Sequence, residues 1–183
     1  MKELKITQTQ EWIIDALLSL MKDKHYREIT VSEIVSEAHI GRRTFYRYFK
    51  TKDDILLLYC HAIMQDLAHI ILDKNNMTLY SVSLSYFECL NQYLDFLRLM
   101  QQSEMLYFIG DKLPEFMANV AVMTGHVMPN QIAATERRQD HYYYAFYFDI
   151  GGYWSITTLW LKKEPRETPE EMAKMIVEVI YKR

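Results

Sequence analysis

Cysteine, proline and glycine are all scarce in this chain of 183 residues, which has 2, 4 and 5 of them. The two cysteines, Cys60 and Cys89, show neither CxxC nor Cys/His metal spacing, so they are expected to be buried thiols in a reducing cytoplasm. So little glycine and proline argues against a turn-rich chain and for a helical, globular one. The N-terminus, MKELKITQTQEW, lacks an apolar signal core, and no uninterrupted apolar run reaches membrane-span length. A soluble, cytoplasmic protein without a membrane partner is therefore expected. Catalytic motifs are missing as well: there is no HExxH, GxSxG, P-loop or GxGxxG. Among the six histidines, His25, His39, His61, His69, His126 and His141, His61 with Asp66 and His69 with Asp73 match ordinary helix surfaces as well as any ligand pair. No enzyme, metal or cofactor is expected.

Half of the residues are hydrophobic, a quarter are charged, and the net charge is −3. Residues 1–55 carry ten Lys/Arg against nine Asp/Glu, whereas residues 56–183 carry eleven against fifteen. Overall acidity therefore does not argue against a nucleic-acid partner, because five cations are concentrated between Arg42 and Lys52. In that neighbourhood Val31, Ile34, Val35 and Ala38 recur at helical spacing, Gly41 breaks the pattern, and an acid-free run from Arg42 to Lys50 follows. On a helix, Phe45 and Phe49 anchor the core and turn Arg42, Arg43, Tyr46, Arg47 and Lys50 outward. Two short helices around a Gly-containing turn form a helix-turn-helix, whose second helix fits the DNA major groove. A solvated basic face is the plainer alternative, but solvated faces usually mix both signs.

The buried run ITVSEIVSEA from Ile29 to Ala38, then TFYRYF from Thr44 to Phe49, then KTKDDI from Lys50 to Ile55, resembles the DNA-binding domain of the TetR family of bacterial transcriptional regulators. The likeness runs from about Gln10 to Leu58. It departs from the family pattern at His39, where Gly is usual in the turn, and at Gly41, where Ser usually caps the recognition helix. His tolerates a positive φ better than a β-branched residue does, and Gly is an acceptable N-cap. The resemblance implies base-edge and nearby phosphate contacts from Arg42, Arg43, Thr44 and Tyr46, with backbone positioning by Thr30, Arg47, Tyr48 and Lys52. It also implies two domains, a helix-turn-helix over residues 1–51 and a helical regulatory and dimerisation domain over 52–183.

Along the rest of the chain, Thr7 and Thr30, the latter with Glu33, mark helix N-termini, and Thr51 with Asp54 opens a long helix to about Leu72. Two helices with a break near Asn91-Gln92 are predicted over 77–102. Another, opened by Ser103 and Glu104, is expected to stop at Gly110, with Pro114 in the first turn of its successor. Gly125 to Asn130 reads as a loop, Arg137 to Lys163 as a long helix, and Thr168-Pro169-Glu170-Glu171 as the start of the last.

Tyr86, Tyr93, Met100, Tyr107, Phe108, Met117, Tyr144 and Tyr147 are candidates to line a cavity for an apolar or aromatic small-molecule effector, against the simpler reading of a packed aromatic core. Family members pair subunits through their last two helices. That implies a homodimer interface from Phe148, Gly151, Gly152, Ser155, Leu159, Met172, Met175, Ile176 and Val179, reading a palindromic operator with two recognition helices about 34 Å apart. A repressor controlled by an effector is the expected function. An effector-less or protein-controlled activator or coactivator, and a helical protein-interaction module, are the alternatives.

Overall fold

The computed structural model describes residues 5–74, 77–123 and 141–180. All regular structure there is helical. In order, the elements are α1 (Gln8–Asp23), a 3₁₀ turn (Tyr26–Glu28), α2 (Val31–Glu37), α3 (Arg42–Tyr48), α4 (Lys52–Leu72), α5 (Leu79–Gln92), α6 (Leu94–Gln102), α7 (Leu106–Met123), α8 (His141–Lys162) and α9 (Pro169–Met175), which continues as a π turn (Ile176–Ile180).

The chain divides into two compact units, residues 1–63 with 95–107, and residues 64–94 with 108–183. In the first unit, Ile13, Leu17, Ile34, Phe45, Ile55 and Leu56 are fully buried, and α1 and α3 both pack on α2. Two of its helices end in the same way. After α2, His39 N–H donates to Ser36 and Ile40 N–H to Val35. After α6, Glu104 N–H donates to Gln101 and Met105 N–H to Met100. Both are Schellman closures, and they place His39 at φ 52° and Glu104 at φ 55°, conformations that glycine usually supplies.

In the second unit α9 packs on α5. Tyr86 and Phe87 of α5 stack edge-on against Tyr153 and Trp160 of α8. The α7 helix runs unbroken through Gly110 and Pro114, contrary to the break expected there. Ile109, Leu113, Phe116 and Val120 form one continuous buried stripe along it, and burying that stripe outweighs the cost of both helix breakers. Gly110 has a packing reason for its small size: a Cβ there would lie 2.6 Å from Trp154 Nε1.

By length and composition alone α4 is apolar enough to cross a bilayer. In this protein Ile55, Leu56, Cys60, Ile63, Met64, Leu67, Ala68 and Ile71 of that helix are buried in the fold. Both cysteines are buried and unbridged, and burial pushes the Cys60 thiol up to about 12; burial and the Asp66 carboxylate together do the same for Cys89. The Gly125 to Asn130 loop and the Arg137 start of the long helix lie outside the described residues.

Candidate nucleic-acid interface

The surface that presents the cationic residues is built from local signals. Thr30 caps α2: its hydroxyl accepts from Glu33 N–H at 3.3 Å, while the Glu33 carboxylate accepts from Thr30 N–H at 2.8 Å. Lys24 also donates to that carboxylate at 2.8 Å. With Thr30, this holds the Glu33 carboxyl at about 2, below its ordinary 4.5. Gly41 begins α3 without a side-chain cap, in an extended conformation, so two turn amides, Thr44 and Phe45 N–H, close on its carbonyl.

On α3 the buried and exposed faces separate as helical spacing predicts. Phe45 is completely buried and stacks on Phe49, while Arg42, Arg43, Tyr46 and Arg47 are exposed, with Tyr46 at 58%. Thr44 and Tyr48 are half-buried. Arg43, Thr44, Tyr46 and Arg47 line one open concavity. Two of the arginines are oriented by neighbours. Arg42 donates to the Ser32 hydroxyl of α2 at 2.5 Å, and Arg47 lies 4.9 Å over the Tyr48 ring while donating to its hydroxyl at 3.3 Å. Hydrogen bonds from Thr9 and Arg47 lower the Tyr48 phenol below its ordinary range. Sequence reasoning missed Ser32 and Thr9, although Ser32 sits on the polar face of α2 and its hydroxyl type was the available signal.

Lys52 is placed differently from the expectation. Its ammonium donates to the carbonyl oxygens of Tyr26 at 2.5 Å, Ile29 at 2.8 Å and Arg27 at 3.2 Å, and lies 4.4 Å over the Tyr26 ring. Burial pushes it below the ordinary lysine range. An ammonium has three protons, and three carbonyls accept from it here. Lys52 thus ties the start of α4 to the turn that leads into Thr30, and its charge serves the protein's own backbone first. Tyr26 completes the tie by donating from its phenol to Asp53 at 2.5 Å, while its own N–H donates to the buried Ser103 hydroxyl at 3.4 Å.

The eight candidate cavity residues do not come together. An apolar cavity of ≈ 240 Å³ does lie in the second unit, lined by Leu67, Ile71, Leu79, Val82, Tyr86, Leu113, Met117, Phe146, Asp149, Ile150 and Tyr153. Tyr86 and Met117 are on that wall. Met100 is wholly buried in the first unit, Tyr107 belongs to the same unit and is exposed, and the Tyr93 phenol donates to Asp66. Phe108 is half-buried away from this wall, and Tyr144 and Tyr147 are exposed. Aromatic identity was a poor guide because the wall is mostly aliphatic. The better signal was register: Leu79, Val82 and Tyr86 share one face of α5, and Phe146, Ile150 and Tyr153 one face of α8.

The opposite side of α8 carries Phe148, Gly151, Gly152, Ser155 and Leu159, all exposed, with Phe148 at 79% and Leu159 at 67%. Among the described residues outside the helix's own backbone, nothing lies within 4 Å of a Cβ built on Gly151 or Gly152. On α9 the outcome differs. Met172 and Ile176 are buried in the chain's own core, where α9 and its π turn meet α5, so neither has surface left for a second subunit, and Met175 is half-buried. The Val179 side chain lies outside the described residues. Among the described residues, no group of three His, Cys, Asp or Glu is placed to hold a metal ion.

Residues 13–59 match the family described as bacterial regulatory proteins, tetR family. The chain is similar to the HTH-type dhaKLM operon transcriptional activator DhaS of Lactococcus lactis subsp. lactis (strain IL1403), with 27% identity over 138 residues. That match covers 74% of this chain and spans 66% of the relative's length. Two solved structures share the fold. A TetR transcriptional regulator from Streptococcus agalactiae 2603V has a TM-score of 0.59 at 19% identity over 91% of this chain and 90% of its own. The dihydroxyacetone kinase operon activator DhaS has a TM-score of 0.52 at 20% identity over 93% and 92%.

Proposed function

We propose that this chain, whose residues 13–59 match the tetR family of bacterial regulatory proteins, is a DNA-binding transcriptional regulator and not an enzyme, a cytoplasmic homodimer that binds a palindromic operator and is controlled by a small-molecule effector. Residues 1–51 read DNA in this proposal, and residues 52–183 regulate and dimerise. The observation that carries it is the division of α3 into a buried Phe45/Phe49 face and an exposed Arg42, Arg43, Tyr46 and Arg47 face. Arginine pairs in bidentate fashion with guanine O6 and N7, so Arg43 and Arg42 are assigned to base edges with Thr44 and Tyr46 beside them. Thr30, Arg47 and Tyr48 are assigned to phosphates. Lys52 acts one step behind them, by fixing the turn that positions Thr30.

Two half-sites need two recognition helices. The exposed stripe of α8, from Phe148 to Leu159, is assigned to subunit pairing because an apolar face left exposed among the described residues is what a partner subunit would bury. The apolar cavity beside α5 is assigned to the effector. Repression is the direction we favour for the family. Activation is the second reading, favoured by the relative named an operon transcriptional activator.

The test is binding of the purified protein to labelled DNA from its own promoter region, titrated with salt and competed with random duplex. Competitor-resistant binding that weakens steeply with salt supports an operator-specific regulator. Absence of DNA binding even at low salt overturns it in favour of a protein-interaction module.

A further inference from the structure

Arg42 is the first residue of α3, and Gly41 ahead of it supplies no side chain to cap or pin that end of the helix. A pin comes from α2 instead. Arg42 Nη2 donates at 2.5 Å to the hydroxyl of Ser32, which stands in the first turn of α2 just after its cap, Thr30. Ser83 of α5 and Thr157 of α8 return their hydroxyl protons to the carbonyl one turn behind, as residues inside a helix can. Ser32 has no helical carbonyl one turn behind, because α2 begins at Val31, so its hydroxyl can turn outward to α3.

Both side chains are exposed, so the bond adds little to the stability of the fold against the water that would replace it. What it does is choose a direction. An arginine side chain has large rotamer freedom, much of which is lost when the guanidinium is fixed on a base. A guanidinium already held by its own protein has less to lose, which raises affinity without a new contact to DNA. The bond occupies one of five N–H donors and leaves four for a base edge.

Resting on the proposed reading of DNA by α3, we propose that Ser32 is a specificity-determining positioning residue, which aims the Arg42 guanidinium at the base edge that Arg42 reads. Acting through Arg42, Ser32 has a signature that a phosphate contact or a purely structural role lacks.

The experiment is a double-mutant cycle in DNA binding with the full chain, using labelled DNA from its own promoter region, single-base variants of the segment it protects, and random duplex. Ser32→Ala should weaken promoter binding by about three- to tenfold, the cost of ordering one long side chain on binding, and random-duplex binding by less than about twofold. The loss should disappear on the single-base variant that also removes the effect of Arg42→Ala. In the Arg42→Ala background, Ser32→Ala should cost nothing further. Ser32→Thr keeps the hydroxyl and should restore most of the affinity. Alanine is the better helix former and the position is exposed, so Ser32→Ala is expected to fold, and its melting curve checks this. Equal losses on promoter and random duplex, the same loss in the Arg42→Ala background, or unchanged promoter binding overturns the positioning role while leaving α3 a DNA reader. A wild-type chain that binds its promoter no better than random duplex overturns the reading of DNA by α3, and the role of Ser32 with it.

Discussion

Replacing Lys52 by methionine separates two roles that a lysine at this position can have. The side chain keeps its stem and loses the ammonium, and the carbonyls of Tyr26, Arg27 and Ile29 lose their common donor. A hydrogen bond to a charged group contributes about 1.5–3 kcal/mol net. The three bonds do not add, because one desolvation cost covers them all and water reaches the exposed Arg27 when the ammonium leaves. The contact with the Tyr26 ring adds about 0.5–1 kcal/mol. A total loss of about 2–4 kcal/mol is expected, which for a chain of this length lowers Tm by about 4–16 °C. Thermal and urea unfolding followed by circular dichroism measure it. If Lys52→Met melts with the wild type, while its affinity for all DNA sequences falls and its salt slope drops by about one, Lys52 is a phosphate contact and the reasoning is refuted.

Arg43→Ala should cost about 1–3 kcal/mol in operator binding and relax preference at one base position; equal losses on operator and random duplex would remove it from base reading. Phe148→Glu places a charge in the exposed α8 stripe and should shift the sedimenting species to a folded monomer, whereas an intact dimer would count against that face. Glu33 gives a pH signature. Its carboxyl is depressed to about 2 in the folded chain, so the stability it adds is present above about 4.5 and is lost as pH falls toward 2. Glu33→Gln should flatten the acid limb of a stability profile over that window, and an unchanged limb would mean that the Lys24 and Thr30 contacts do not persist in solution.

What could be foreseen in the sequence was local. The capping boxes at Thr30 with Glu33 and at Thr168 with Glu171, the latter followed by Pro169, are three-residue signals that need no tertiary partner. The two faces of α3 follow from four-residue spacing alone. Where partners are far apart in sequence, the reading failed. Gly110 was expected to stop a helix, because its reason for being small is Trp154, on another helix. The cavity needed faces from α4, α5, α7 and α8 at once, so a choice by aromatic identity found Tyr86 and Met117 and missed Val82, Asp149 and Tyr153. Met172 and Ile176 carried a helical stripe that one chain or two can bury with equal ease, and only packing against α5 assigns them. For Lys52 the motif supplied a residue, but the three carbonyls converge on it only through the fold of the preceding turn.

The left-handed closures at His39 and Glu104 both fall in the first unit, one immediately ahead of α3 and the other at the end of α6. An L-residue holding that conformation stores about 1–2 kcal/mol that glycine would not. Set against the about 5–15 kcal/mol that hold an average domain together, this is an appreciable reserve left unclaimed. Under the proposed function this is the half of the molecule that settles onto a duplex, and it is kept softer than glycine at those two positions would leave it. In the proposed DNA-binding role, an element with little stability to spare conforms readily to the curvature and groove width of the site it meets.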